Sequence, residues 1–273
     1  MKLLDLGDLS GDVLLYGGAH SNAEALSALL AWAEARGIAP ARMISTGDLV
    51  AYCGAPAPVV DIFRQRGLPT IAGNCERQLA KGAPDCGCGF EAGTTCDLLS
   101  AGWFGHADKS LDAEARAWMG DLADMAVLTH AGRRYAVIHG GATDISRFLW
   151  PVSAPVEFEE EIARITDQIG AVDAVVAGHC GLAFQRQIGA VTWVNAGAIG
   201  MPPHDGRPQT RFGLLSEDGV VFHRLEYDVK GAVADMERAG LTQGYQRTLV
   251  TGIWPSEDVL PPAMRRTGAS RGI

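Results

Sequence analysis

Five short polar clusters, each placed where an apolar run ends, hold the residues best suited to bind a metal. These candidate ligands are Asp48, Asn74, His20, His139 and His179. The preceding runs are strand-like in composition, so each last residue projects its side chain from one edge of a sheet. A carboxylate, an amide oxygen and neutral imidazoles suit Zn, Mn or Fe in a hydrolytic site. Each residue alone is typical of an ordinary turn, but together they predict a metal centre.

Alternating strand and helix patterns position the first three clusters. Apolar runs at residues 13–17, 43–46 and 68–72 predict strands. Helical spacing of leucines follows Asn22, a good N-cap residue, and a second helix is predicted over residues 59–66. This β-α-β-α-β order predicts a largely parallel sheet with the ligands at its carboxyl edge.

The second half of the chain contains more hairpins. Strand pairs are predicted at 127–129 with 135–138, at 184–188 with 191–195 and at 211–215 with 220–227, besides a helix over 157–168 and a buried strand over 172–177. Together the two halves predict an α/β fold with two sheets packed face to face and helices outside. We expect one domain over residues 1–273, an irregular excursion over 81–108, and a loose surface segment after Trp254.

Composition excludes several classes of protein. The 273 residues are 47% hydrophobic, which is enough for one large α/β domain, and the net charge is −9 without a Lys/Arg-rich block. Nucleic acid is therefore not expected to be the main partner. The acidic N-terminus does not resemble an export signal, and no apolar stretch approaches the roughly 20 residues of a membrane helix. These features predict a cytoplasmic protein without a membrane partner, and leave a homodimer open.

The cysteines leave three interpretations open. Cys86, Cys88 and Cys96 cluster in DCGCGFEAGTTC, without the spacing of a zinc ribbon. They could be reduced thiols, a local disulfide, or contacts to a metal or substrate.

The order of the clusters resembles the calcineurin-like metallophosphoesterase superfamily. The matching motifs are Gly18-Ala19-His20, Gly47-Asp48, Gly73-Asn74-Cys75, His139 and Gly178-His179-Cys180-Gly181. The segment WVNAGAIGMPPHDGRP is similar to one in the bacterial small-phosphodiesterase branch. The resemblance covers residues 13–228 and implies a four-layer α/β/β/α sandwich of two mixed sheets, followed by an extension over 229–273.

Two departures from the family pattern limit the predicted chemistry. Gly18 and Gly181 stand where the family has an Asp and a His that bind one of two metals. The resemblance implies that the other metal site remains, with the ligands Asp48, Asn74, His139 and His179. We therefore expect one Mn, Zn or Fe ion per chain rather than two.

The resemblance also suggests roles for other residues. His20 is the candidate general base or phosphate-orienting group beside Asp48, and Cys75 and His204 are candidates for additional metal or substrate contacts. The expected function is hydrolysis of a small phosphomonoester or phosphodiester. The alternative is a catalytically degenerate sensor or scaffold that binds a metal or a phosphorylated ligand.

Overall fold

A computed structural model describes residues 1–266 of the chain and contains two mixed β-sheets. The first sheet has the order β10-β9-β2-β3. Its strands are β2 (Val13–Tyr16), β3 (Met43–Ser45), β9 (Thr210–Ser216) and β10 (Gly219–Leu225). β2 is parallel to β3 and antiparallel to β9, which forms a hairpin with β10.

The second sheet has the order β1-β4-β5-β6-β8-β7. Its strands are β1 (Leu3–Asp8), β4 (Met125–His130), β5 (Arg133–Val137), β6 (Ala174–Ala177), β7 (Ala183–Ile188) and β8 (Val191–Ala196). The hairpins β4–β5 and β7–β8 are antiparallel, whereas β5, β6 and β8 are parallel. The hairpins predicted from the sequence are therefore confirmed, whereas β1 was not predicted.

Helices cover the outer faces of both sheets. They are α1 (Ala23–Glu34), α2 (Pro56–Arg66), α3 (Asn74–Lys81), α4 (Thr95–Ser110), α5 (Ala113–Asp121), α6 (Pro155–Ile169), α7 (Val229–Arg238) and α8 (Tyr245–Thr251). None of the helices in residues 1–266 is long and apolar enough to cross a membrane.

Side-chain alternation along the central strands separates the layers. In β2, Val13 and Leu15 face the second sheet, whereas Leu14 and Tyr16 pack in the cluster that contains the leucines of α1. In β6, the cluster between the sheets includes Val176, and the cluster that contains the buried residues of α6 includes Val175. Three apolar clusters thus separate four layers, as expected for strands whose side chains alternate between faces. The predicted α/β/β/α sandwich is confirmed.

The prediction of an irregular excursion over 81–108 is wrong in its second half. Helix α4 begins after Thr94, whose side chain accepts a hydrogen bond from the Asp97 N–H, 3.4 Å away. Cys96, Ser100, Trp103, Phe104 and Ala107 are buried along one face of this helix. Their spacing of three and four residues is that of an amphipathic helix.

The predicted strand over 68–72 is also wrong. This segment makes only isolated bridges, from Thr70 to Ser45 of β3 and from Ile71 to Ala123. Pro69 within it has no N–H to donate to a ladder, which limits regular pairing. The segment therefore makes single bridges to its neighbours and is not a strand of either sheet.

The segment after Trp254 is packed against the protein, so the prediction of a loose surface tail is wrong over residues 255–266. Trp254 Nε1 donates to the Pro202 carbonyl oxygen at 2.7 Å, and Leu260 is buried. We call residues 254–260 the C-terminal strap. Residues 267–273, the end of the predicted tail, lie outside the described residues.

Candidate metal centre

The candidate ligands lie at the carboxyl ends of strands from both sheets. Asp48 follows β3, His139 follows β5 and His179 follows β6, each by two or three residues. Asn74 is the first residue of α3. Because the two sheets are packed together, their ligand-bearing loops meet at a common edge, as the sequence predicted.

Two glycines allow the Asp48 and Asn74 loops to approach closely. Gly47 has φ +94°, and a Cβ there would lie 2.5 Å from the Gly73 nitrogen. Asp48 itself has φ +54°, in the left-handed region that few non-glycine residues adopt. The Gly-Asp and Gly-Asn pairs therefore meet a steric requirement of the site.

Glu76 holds these two loops together, a role that the sequence interpretation missed. Its buried carboxylate accepts hydrogen bonds from the N–H groups of Asp48 at 2.9 Å, Gly73 at 2.8 Å and Val50 at 3.2 Å. Burial and the Asp48 charge raise the pKa of Glu76 to about 7, whereas the Gly73 and Val50 N–H groups oppose this shift. The sequence signal was an acidic residue three positions after Gly73, as in a capping box.

Four acceptor atoms, one each from Asp48, Asn74, His139 and His179, converge at this edge in a buried cluster that we call the metal group. His139 Nε2 lies 3.0 Å from Asn74 Oδ1, 3.0 Å from His179 Nδ1 and 3.3 Å from Asp48 Oδ2. His179 Nδ1 is 4.0 Å from the same Asp48 oxygen. Among residues 1–266, Asp48, His139 and His179 have ligand atoms that all lie within 4.8 Å of one another.

Hydrogen bonds outside the group turn its lone pairs inward. His139 Nδ1 is 2.7 Å from the Thr46 carbonyl oxygen, so Nδ1 carries the proton and Nε2 faces Asp48. Asn74 Nδ2 donates to the Cys86 carbonyl oxygen at 2.9 Å, which directs Oδ1 towards His139. A histidine ligand commonly donates its other N–H to such a carbonyl group.

The chemistry of these residues fits a divalent metal ion. A buried group of facing lone pairs is unfavourable unless a proton or a cation lies between them. Burial and the neighbouring His139 lower the pKa of His179 to about 3, so this ligand is neutral at physiological pH. Burial opposes ionisation of Asp48, but the charge of His139 and its hydrogen bond to the carboxylate hold the pKa of this carboxyl below its ordinary value.

The side chain of His20 fills the space over Gly18. Its imidazole lies over Gly18, so a Cβ on Gly18 would overlap ring atom Nε2. His20 has φ +50° and packs edge-to-face on Tyr52, with ring centroids 4.9 Å apart. Burial lowers the pKa of His20 to about 4.

By contrast, no neighbouring side chain fills the space beside Gly181. A Cβ at this residue would meet only Ala198 Cβ, at 3.8 Å, among its neighbours within 4 Å. Gly181, His20 and His179 line a cavity that opens beside the four acceptor atoms. Its walls are mainly aromatic and apolar, and include Tyr52, Phe148, Trp150, Tyr245, Trp254 and Val259. We call this space the aromatic cavity.

The two other candidate contacts occupy different environments. Cys75 is fully buried, and its backbone N–H donates to Asp48 Oδ1 at 3.3 Å. Burial and the Asp48 charge hold the pKa of the Cys75 thiol well above its usual range. His204 lies outside the metal group, where it accepts from the Trp254 N–H at 2.8 Å and pairs with Glu257 at 2.7 Å. It is therefore a partner of the C-terminal strap.

The cysteines of the excursion divide into two kinds. Cys86 and Cys88 form a disulfide, whereas Cys96 is free and buried. Cys88 Sγ lies 3.3 Å from Asn74 Nδ2, so the disulfide loop packs directly against a candidate metal ligand. Of the three interpretations from sequence, the structure has the local disulfide.

Two packed mixed sheets with this buried donor group at their shared edge define the class of α/β/β/α metallophosphoesterase folds. Residues 12–218 match the calcineurin-like phosphoesterase superfamily domain, and the chain belongs to this superfamily. Its members are metal-dependent phosphoesterases. The resemblance inferred from the sequence motifs is confirmed.

Solved structures show the same fold. A metallophosphoesterase from Sphaerobacter thermophilus is 19% identical, with a TM-score of 0.66 over 90% of this chain and 100% of that chain. A hypothetical protein from Pyrococcus horikoshii is 16% identical, with a TM-score of 0.73 over 89% of this chain and 99% of that chain. At these identities the likeness concerns the fold alone.

A curated relative matches a shorter segment. The chloroplastic acetylglutamate kinase of Arabidopsis thaliana is 30% identical over 86 residues, or 32% of this chain. The chain spans about a quarter, 24%, of the length of that protein. A match of this extent assigns no activity to the present chain.

Proposed function

We propose that this protein is a phosphoesterase that uses one divalent transition metal to hydrolyse a small phosphomonoester or phosphodiester. Asp48, Asn74, His139 and His179 would hold the ion, which is Mn, Zn or Fe. The observation that carries the proposal is the convergence of four acceptor atoms within 3.0–4.0 Å, turned inward by bonds to Thr46 and Cys86. When bound, such an ion supplies Lewis acidity towards a phosphoryl group.

His20 is the proposed proton acceptor. Its imidazole is neutral at pH 7 because burial lowers its pKa to about 4. Nδ1 has no hydrogen-bond partner among the described residues, so this atom is available to take a proton. His20 lines the aromatic cavity and has Asp48 and His139 as its charged neighbours, which supports a role in orienting water or phosphate.

A second candidate function is binding without hydrolysis. Gly18 and Gly181 provide no side-chain ligands for a second metal, and the His20 ring fills the space over Gly18. A protein with this site could bind one metal and a phosphorylated ligand as a sensor or scaffold.

Turnover and metal content distinguish the two functions. The purified protein should be loaded separately with Mn, Zn and Fe and tested with bis(p-nitrophenyl) phosphate and p-nitrophenyl phosphate. Asp48→Asn is the control, because it keeps the shape of the side chain and removes the charge. We expect one metal ion per chain and activity above this control. If the metal-loaded protein binds inorganic phosphate but has no more activity than Asp48→Asn, the result would instead support the binding function.

A further inference from the structure

The aromatic cavity begins at the metal group. His179 contributes Nδ1 to the group and also lines the cavity, and His20 and Gly181 lie on the same side. Because residue 181 is a glycine, the space beside Ala198 is not filled by a side chain. The aromatic cavity therefore adjoins the position that the proposed function gives to a bound phosphoryl group.

The walls of the cavity form flat apolar surfaces. Phe148 stacks on Trp150 with an interplanar angle of 3° and centroids 5.2 Å apart, and its ring is 4.3 Å from that of His179. On another wall, Tyr52 and Tyr245 pack with centroids 4.6 Å apart. Such surfaces stabilise a planar or branched apolar group through burial and dispersion.

The lining also excludes several kinds of ligand. Among the described residues that line the cavity there is no Lys, Arg, Asp or Glu. A second phosphate, a carboxylate or an ammonium group would be desolvated there without a charged partner, which is strongly unfavourable. The hydroxyl groups of a sugar would likewise find few hydrogen-bond partners.

The C-terminal strap fixes one wall in place. Trp254 is held through its indole N–H by the Pro202 carbonyl oxygen and through its backbone N–H by His204. Glu257 fixes His204 at 2.7 Å and also pairs with Arg266. This wall of the cavity is thus preformed, as is usual for small-molecule sites.

We propose that the aromatic cavity binds the alcohol portion of the substrate, and that this portion is an uncharged aryl or branched alkyl group. The protein therefore selects apolar phosphoesters over nucleotides and sugar phosphates. This inference rests on the proposed function, because it assumes that phosphate binds at the metal group.

Binding of non-hydrolysable phosphonates tests the inference without relying on turnover. Calorimetry on the Mn-loaded protein would compare benzylphosphonate with methylphosphonate, and with adenosine monophosphate. Burial of one phenyl ring is expected to make benzylphosphonate bind about 10- to 100-fold more tightly than methylphosphonate. Equal affinities, or tighter binding of the nucleotide, would overturn the inference.

A matched pair of variants locates the effect. Val259→Trp places a large side chain in the cavity and should reduce the ratio of benzylphosphonate to methylphosphonate affinity by at least about tenfold. Val221→Trp makes the same change at an exposed position of β10 and should leave the ratio unchanged. If both variants, or neither, lower the ratio, the aromatic cavity is not the site that selects the ligand.

Turnover separates this inference from the proposed function. The kcat/KM for p-nitrophenyl phosphate, whose alcohol portion is an uncharged aryl group, would be compared in the unchanged protein and in the Val259→Trp and Val221→Trp variants. Equal kcat/KM values in all three proteins, with equal phosphonate affinities, would overturn the apolar selection and leave the hydrolase intact. Selective phosphonate binding without any turnover would support the cavity and overturn the hydrolase.

Discussion

The imidazole of His20 occupies the space above Gly18, so these two residues are sterically coupled. The resemblance implied, from the sequence, that the superfamily has an Asp ligand at the position of Gly18, whereas in the structure the His20 side chain fills this space. Gly18 is thus a requirement of the His20 position.

This coupling predicts an effect of Gly18→Ala on stability. The added methyl group must displace the His20 ring, and we expect the free energy of unfolding to fall by about 1–3 kcal/mol. His20→Ala should remove this conflict, so the double variant should be more stable than the sum of the single effects by about 1 kcal/mol. Urea unfolding of the four proteins measures this coupling.

Gly105→Ala is the matched control. Gly105 lies in α4 with no atom within 4 Å of a Cβ built there, so alanine should stabilise the protein by about 0.5–1 kcal/mol. Additive effects of Gly18→Ala and His20→Ala would show that the two residues are not coupled.

Glu76→Gln should weaken both the fold and metal binding. The carboxylate accepts three buried N–H groups, and an amide presents only one acceptor oxygen, so we expect a loss of about 2 kcal/mol in unfolding free energy. The Asp48 loop would be less well positioned, and metal affinity should fall about 10- to 100-fold. Denaturant unfolding and metal titration measure the two effects.

The same substitution at exposed Glu237 on α7 provides the comparison. Glu237→Gln should change the unfolding free energy by less than about 0.5 kcal/mol. If Glu76→Gln behaves like this surface variant, Glu76 does not organise the site.

His20→Ala should reduce kcat by about 10²- to 10⁴-fold if His20 accepts a proton during hydrolysis. His223→Ala removes a histidine that packs on Trp32 and should leave kcat unchanged. Because the pKa of His20 is lowered to about 4, this residue is neutral above pH 5. If kcat instead falls on acidification with a midpoint near pH 6.5, and this fall is absent in His20→Ala, the lowered pKa of His20 is contradicted.

The disulfide predicts a specific thiol count. Unfolding without reductant should expose four reactive thiols, from Cys53, Cys75, Cys96 and Cys180, and all six should react after reduction. Because the disulfide loop holds Asn74, Cys86→Ser combined with Cys88→Ser should lower metal affinity about tenfold. Six reactive thiols before reduction would show that the bond is absent from the protein as isolated.

The meeting of Asp48, His139 and His179 at one edge could be predicted because these residues follow directly from local patterns, whereas their role as metal ligands stays a prediction. Asp48, His139 and His179 each come shortly after an apolar strand, and parallel strands place such residues at one edge of a sheet. The alternation of strands and helices then indicated two sheets with outer helices. Local periodicity and turn chemistry were sufficient for this part of the molecule.

Features that depend on long-range contacts were missed. In the sequence Glu76 is an ordinary acidic residue in the first turn of a helix, and its hydrogen bond with the Asp48 N–H becomes visible only in the structure. The C-terminal strap likewise has the composition of a tail, and only the structure shows that Trp254 binds the Pro202 carbonyl oxygen. Helix α4 contains Gly102 and Gly105, which weaken the helical pattern, although its buried face has regular spacing.

The C-terminal strap also has a consequence for how the protein could diversify. The match to the superfamily domain ends at residue 218, whereas Tyr245, Trp254 and Val259 of the cavity wall come later in the chain. One part of the cavity wall is thus encoded downstream of the stretch that carries Asp48, Asn74, His139 and His179. We expect exchange of this downstream stretch between homologues to alter that part of the wall and to leave these four residues unchanged.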